Sequence, residues 1–297
     1  MNSVIEKRSY AGTVFRYAIV ALLTFAFIYP FYSVLLISLN DYVDLMRGYP
    51  IWLPRKWSLM NYIIVFRSAA LGRAVFLSVS RTVATTALGL ICNGMLAFGL
   101  TRKELLGRRF FNQIFIITMY VSGGLIPYYI QISSMGLINN FWVFVLPSAI
   151  NVYYMLIIKS YYNGLPESIE ESAKLDGCNE FQIFVRMIVP MSLPVFAAIG
   201  VYYAIAQWNS WWDNYLFANT PDLVTLQLLL VRVIQNAKLS AVMAEKGGGS
   251  IIANTATANP MGVRMATTII TTVPILIVYP FFQKYFISGI TIGAVKG

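Results

Sequence analysis

Long apolar runs separated by short polar stretches set the pattern of this chain. Six runs are long enough to cross a bilayer, which takes about 20 residues. They are Tyr17 to Leu39, Ala74 to Leu100, Phe110 to Ile132, Phe141 to Tyr161, Met191 to Tyr215, and Met265 to Phe286. Lipid offers no partner for a free backbone group, so each run is expected to be helical. The pattern predicts an all-α polytopic membrane protein with six transmembrane helices. A terminal segment, 1–16, precedes the membrane region, 17–287, and a tail, 288–297, follows it.

One polar stretch stands apart, Leu165 to Pro194. It holds five of the chain's 12 acidic residues, and its local signals predict two short helices. Pro166 suits a first helical position. Glu167, Glu170 and Glu171 fall near the start of the first helix, where its dipole favours negative charge. Lys174 follows Glu170 at i+4, the favourable order for a pair. Gly177 is placed to end the helix with a positive φ. Asn179 with Gln182 three residues later reads as a capping box for the second helix. Leu165, Ile169 and Ala173 share one narrow apolar face, so the first helix is built to lie against something.

Charge fixes an expected orientation. Lys7, Arg8 and Arg16 precede the first run, and Arg102, Lys103, Arg108 and Arg109 fill the second short loop. Lys159 precedes the polar stretch and Lys174 and Arg186 lie within it, and Lys284 and Lys296 lie toward the end. The short loop Ser133 to Asn140 on the opposite side has no basic residue. By the positive-inside rule both termini and the polar stretch are cytoplasmic.

Composition changes the picture in three ways. With 58% hydrophobic and 11% charged residues, the chain carries about half the charge of a soluble domain. The net charge of +10, which on a soluble protein would suggest nucleic acid, follows from basic loops instead. The chain has no histidine, which removes the usual imidazole base and metal ligand. Cys92 and Cys178 are expected as free thiols. No cleavable signal peptide is evident, and the first run is expected to remain as a spanning helix.

Candidate chemistry lies in three places. SGGLIPYYI in the third run, with Gly123, Gly124 and Pro127, permits a kink and close backbone approach. QWNSWWDNYLFAN ends the fifth run and gathers Trp208, Asn209, Trp211, Trp212, Asp213 and Tyr215. Aromatic faces stack on sugar C–H surfaces, and amides and carboxylates bond hydroxyls, so this is a candidate saccharide path. An interfacial aromatic belt is the competing reading. Spacings of 3, 4 and 7 put the aromatic residues on one face of a continuous helix, which suits a path. Arg81 and Asp213 are the charges at membrane depth and are counted with this path, functional by default unless they snorkel. Finally, residues 216–264 form a long external loop with Gly247, Gly248, Gly249 and Ser250 at its middle, a candidate surface for close backbone contact.

The order Glu171-Ser172-Ala173, three residues, Gly177, nine residues, then Met187, Val189 and Pro190 resembles the EAA loop of ABC importer permeases. Asp176 before the glycine is typical of the carbohydrate branch. Further resemblances are Tyr29 to Phe31, the GGLIP phrase, the WN segment and the tail residues Gln283, Lys284, Tyr285, Gly289, Gly293, Lys296 and Gly297. The resemblance implies a permease subunit of an ATP-driven carbohydrate importer in the bacterial inner membrane. Within that branch the chain is similar to permeases for oligo- and polysaccharides such as alginate. It implies a second, homologous permease, two ATPase subunits that hold ATP and magnesium, and an external solute-binding protein. Loop 165–190 would be the coupling helix, with Glu170, Glu171, Ala173, Asp176 and Gly177 at the ATPase. The external loop would meet the binding protein. No phosphate-loop motif occurs in the chain, so it would not itself be the ATPase. Two rivals make other demands. A secondary transporter predicts acidic relays and repeated halves, and a membrane enzyme predicts a catalytic cluster.

Overall fold

A computed structural model of the chain describes residues 10–45, 47–50, 52–245 and 260–294. Among these, every named element is a helix, and the one β-feature is an isolated antiparallel bridge between Asn40 and Trp57. The tip Gly247, Gly248, Gly249 and Ser250 and the tail residues Lys296 and Gly297 lie outside the described residues.

The helices are α1 (Tyr10–Ser38), α2 (Tyr42–Leu45), α3 (Met60–Arg67) and α4 (Ala69–Thr101). Then follow α5 (Arg108–Tyr120), α6 (Leu125–Ser134), α7 (Trp142–Val145) and α8 (Val152–Tyr162). The polar stretch forms α9 (Glu167–Leu175) and α10 (Glu180–Ile183), and α11 (Val189–Met191) and α12 (Leu193–Asn209) come next. The last are α13 (Trp212–Phe217), α14 (Leu226–Glu245) and α15 (Pro260–Ala294).

The apolar runs are helical, but they are less continuous than expected. Three stretches are uninterrupted and apolar enough to cross a membrane: Gly12–Ser38, Ala70–Thr101 and Met261–Val278. The third run breaks into α5 and α6, bent by 117°. Gly124 sits in the break with φ +86, a conformation that a side chain disfavours. The segment Glu180–Met191 meets α12 at 78°, so bent pairs bring the span count to five by length and composition. The fourth run, expected as one helix, splits around Pro147, which has no N–H to donate. Asn151 restarts the helix by accepting a hydrogen bond from Tyr154 N at 3.2 Å. The fifth run is also interrupted, at Ser210 and Trp211. The long external loop, expected to be irregular, instead holds the 20-residue helix α14.

The chain divides into two compact units, residues 1–68 with 233–272, and residues 69–232 with 273–297. In the first, Ile37, Leu45 and Met265 form a small buried cluster. Asn61 is buried and donates to the carbonyls of Ser38 (2.9 Å) and Asn40 (3.2 Å). Trp52 packs beside Phe25 and Tyr29, and its carbonyl accepts from the Tyr32 hydroxyl. α1 is exposed along most of its apolar length, as expected of a surface that meets lipid or another subunit.

In the second unit α4 is the central rod, packed by α8 and α12. Asn93, fully buried on α4, joins three elements. Its amide donates to Ala149 O (3.0 Å) and the Tyr203 hydroxyl (2.8 Å), and its oxygen accepts from Asn151 N (3.0 Å). Gly89 makes room for this: a Cβ there would lie 2.6 Å from the Tyr203 ring. One apolar core runs from Phe98, Met155 and Ile158 to Ala173, Ile183 and Ile188, so the polar stretch is part of the core. A second holds Phe144, Val145 and Phe217 around α7 and α13.

Candidate functional sites

The first site is the corner formed by α9 and the loop after α4. The local signals read from the sequence are present. Gly177 has φ +78, and Asn179 and Gln182 form a reciprocal capping box, 2.8 and 2.9 Å. Pro166 is the cap of α9 rather than its first residue. Ala173 is wholly buried, Leu165 packs on the core, and Leu175 on the far face is 89% exposed.

The expected Lys174–Glu170 pair does not form. Arg102, from the end of α4, takes Glu170 with two bonds of 2.5 and 2.7 Å and lies 4.1 Å above the Phe98 ring. Lys174 turns to Glu180 (3.1 Å), and Lys103 meets Glu167 (3.0 Å). Partial burial pulls the Arg102 guanidinium down, but Glu170, then Glu180 and Glu104, outweigh it and hold it above its usual value. Glu104 is held below the usual carboxyl range by its own backbone N–H and then by Lys174. Glu170 and Ala173 are therefore spent on the chain's own packing, whereas Glu171, Asp176 and Gly177 face outward. Among the described residues Glu171 and Asp176 make no ion pair.

The second site lies where the two breaks meet. Ser122, Gly123, Gly124 and Tyr128 line one side of a cavity of about 500 Å³, and Trp212, Asp213 and Phe217 line the other. The GGLIP and WWDNY phrases, more than 80 residues apart, border one cavity. Phe217 ties them: its ring packs against Tyr128 (5.7 Å) and Tyr129 (5.6 Å) of α6.

Arg81 of α4 closes the back. It is 1% exposed, bonded to Asp213, to Gln207 Oε1 (3.0 Å) and to Ser210 O (3.3 Å), with Phe144 beneath it. Asp213 accepts further bonds from Ser210 Oγ (2.8 Å) and Asn214 N (2.9 Å). Neither charge snorkels; they neutralise each other. Gln207 was not anticipated as a partner, although it sits six residues before Asp213 in the same polar phrase.

The break at Ser210 corrects the expected single aromatic face. Trp211, Trp212 and Tyr215 cluster together, with Trp212 stacked on Tyr215 at 5.9 Å. Trp208 instead borders a separate apolar cavity with Val79, Thr82, Ile205 and Pro274. Asn209 folds back on Ile205 O (2.9 Å). Asn214 is buried and ties α13 to Leu223 O and Thr225 N. Among the described residues no three His, Cys, Asp or Glu side chains converge, so no metal site is assigned.

No protein-family model matches the chain. It is 35% identical to the polygalacturonan/rhamnogalacturonan transport system permease protein YtcP of Bacillus subtilis (strain 168), over 93% of this chain and 96% of that one. It is 25% identical to the inner membrane ABC transporter permease protein YcjP of Escherichia coli (strain K12), over 95% of each. Among solved structures it superposes on a chain of a bacterial ABC transporter involved in the import of the acidic polysaccharide alginate. The TM-score is 0.82 at 23% identity, over 94% of this chain and 98% of the other.

Proposed function

We infer the role of this protein from its family: the chain belongs to the permease subunits of ABC transporters for sugars. It is a membrane-spanning permease subunit of an importer for oligo- or polysaccharides, and it works with a second permease, ATPase subunits and a solute-binding protein. The finer reading concerns its residues. The observation that carries it is the shared cavity at the two helix breaks. Gly124 lets backbone approach the sugar, the Trp212 ring offers an apolar face, and Asp213 accepts hydroxyl hydrogen bonds. Residues that reach such a cavity from broken helices are well suited to a translocation path.

The relative at 35% identity is a polygalacturonan/rhamnogalacturonan transport permease and the structural neighbour is involved in alginate import, so we assign acidic oligosaccharides as the substrate class. The basic loops support a cytoplasmic position for α9 and both termini. There α9 docks on an ATPase subunit, which holds ATP and magnesium, through outward-facing Glu171, Asp176 and Leu175, with Gly177 making the turn. Closure of the ATPases would move α9 and, through Arg102, the end of α4. The chain's own acid at membrane depth, Asp213, is locked by Arg81, which does not suit the proton relay of a gradient-driven carrier.

The test is uptake of labelled trigalacturonate by the reconstituted complex. Trp212→Ala should lower uptake by about tenfold, as loss of a stacking face and its packing. Unchanged uptake in Trp212→Ala and Asp213→Asn alike would remove the cavity from the path.

A further inference from the structure

Arg81 raises a question that the cavity does not answer. It is a cation at membrane depth, 4.8 Å above Phe144, yet it does not line the cavity. Each of its three nitrogens is bonded within the chain, to Gln207, Ser210 and Asp213. With 1% of its surface exposed, it has no donor to offer a sugar.

The three partners have a common feature. Gln207 is in the last turn of α12, Ser210 is the residue where the backbone turns extended (φ −74, ψ 127), and Asp213 is in the first turn of α13. One guanidinium thus binds before, at and after the corner. The carbonyls at the end of a helix lack intrahelical donors, and a cation there is favoured. Arg81 supplies both to α12. Asp213 in turn is fixed at both oxygens: Oδ2 by Arg81, and Oδ1 by Ser210 and Asn214. Its side chain remains 24% exposed, toward the cavity. The aromatic cluster of Trp211, Trp212 and Tyr215 hangs from the same corner.

We propose that Arg81 is a positioning residue. From behind the cavity wall it sets the α12–α13 corner, and with it Asp213 and Trp212, without meeting the saccharide. This rests on the assignment of the cavity as a sugar site. A consequence is that the Asp213 carboxylate is presented with its charge already balanced. The wall then accepts hydroxyl hydrogen bonds from neutral and acidic sugars alike, and any selection for uronate carboxylates comes from outside this wall.

The experiment uses the purified complete complex in detergent, without binding protein. Equilibrium dialysis measures Kd for trigalacturonate and for its carboxyl-reduced, neutral counterpart. Near-ultraviolet circular dichroism of the ligand-free complex reports the tryptophan cluster. Arg81→Met is the primary variant; Arg81→Lys and the uncharged pair Arg81→Met/Asp213→Asn serve where the single variant does not assemble. Positioning predicts that Kd rises by about tenfold or more for both sugars and that the tryptophan signal changes. It also predicts partial rescue by lysine, which can meet one partner but not three. A loss confined to the acidic sugar would overturn the proposal, because Arg81 would then be a direct carboxylate ligand. An unchanged tryptophan signal would also overturn it, whether or not sugar binds. If Asp213→Asn and Trp212→Ala leave both Kd values unchanged while Arg81→Met alters the tryptophan signal, the corner stands and the sugar assignment falls.

Discussion

Arg81, near the middle of α4, and Arg102, just past its C-terminal end, lie about 30 Å apart at 1.5 Å per residue, and each grips an acid from elsewhere in the chain. The chemistry is the same and the settings are not. Arg81 is 1% exposed and has neighbours at every nitrogen. Arg102 is 16% exposed, its buried Nε has no partner among the described residues, and its acid belongs to a network with Glu180, Lys174 and Glu104. A buried cation cannot lose its partner without a large penalty, whereas a pair near water can exchange partners at little cost. The pair beside the cavity is therefore fitted to hold a shape. The pair beside α9 is fitted to exchange partners and re-form.

The largest break in this comparison is Asp213→Ala, which strands Arg81 in the interior. It should destabilise the complex by about 3–5 kcal/mol, read as a lowered melting temperature in detergent. Removing both charges with Arg81→Met/Asp213→Asn should recover a good part of that loss. A double variant as unstable as the single would mean that the charge is not the cause. Next, Gly89→Ala drives a methyl into the Tyr203 ring beside Asn93 and should cost about 1–3 kcal/mol, which tests whether α4 is held rigid between its two ends.

Arg102→Ala should cost less, about 1 kcal/mol after screening, while it weakens sugar-stimulated ATPase turnover. Raising salt from 0.15 to about 1 M shortens the screening length to roughly 3 Å. The Arg102→Ala effect should shrink accordingly and the Asp213→Ala effect should persist. Equal salt dependence in melting curves would erase the distinction. The smallest effect is at Glu104. Its carboxyl is lowered in the folded chain, so its contribution is present above the unfolded value of 4.5 and fades as pH falls through the lowered folded value. Glu104→Gln should flatten the acid limb of a melting-temperature profile slightly and leave neutral pH unchanged.

Legibility followed the range of the interaction. Signals spanning a few residues were readable: Gly177 in its positive-φ turn, Asn179 with Gln182, and Ala173 on the buried face of α9. The Lys174–Glu170 pair misled, because Arg102 reaches Glu170 from 68 residues away with a better geometry, two parallel bonds. Trp208, Trp211, Trp212 and Tyr215 were placed on one face by assuming a continuous helix; Ser210 ends it. α14 hides in a stretch whose alternate leucines, Leu226, Leu228 and Leu230, are buried, although its apolar part, Leu226–Gln235, is too short to mark a span. The Arg81–Asp213 contact, across 132 residues, has no local signature beyond two charges in apolar runs. Their shared depth was the available clue.

The central claim, a permease subunit of a saccharide importer coupled through α9, is tested most directly by purifying this chain from its native membrane in mild detergent. The eluate should contain a second permease and an ATPase in stoichiometric amounts. Its ATP hydrolysis should rise on addition of the binding protein loaded with an acidic oligosaccharide, and Glu171→Ala/Gly177→Asp should abolish that rise. A chain that elutes alone after gentle crosslinking, or one that transports sugar in vesicles without ATP, would contradict the account.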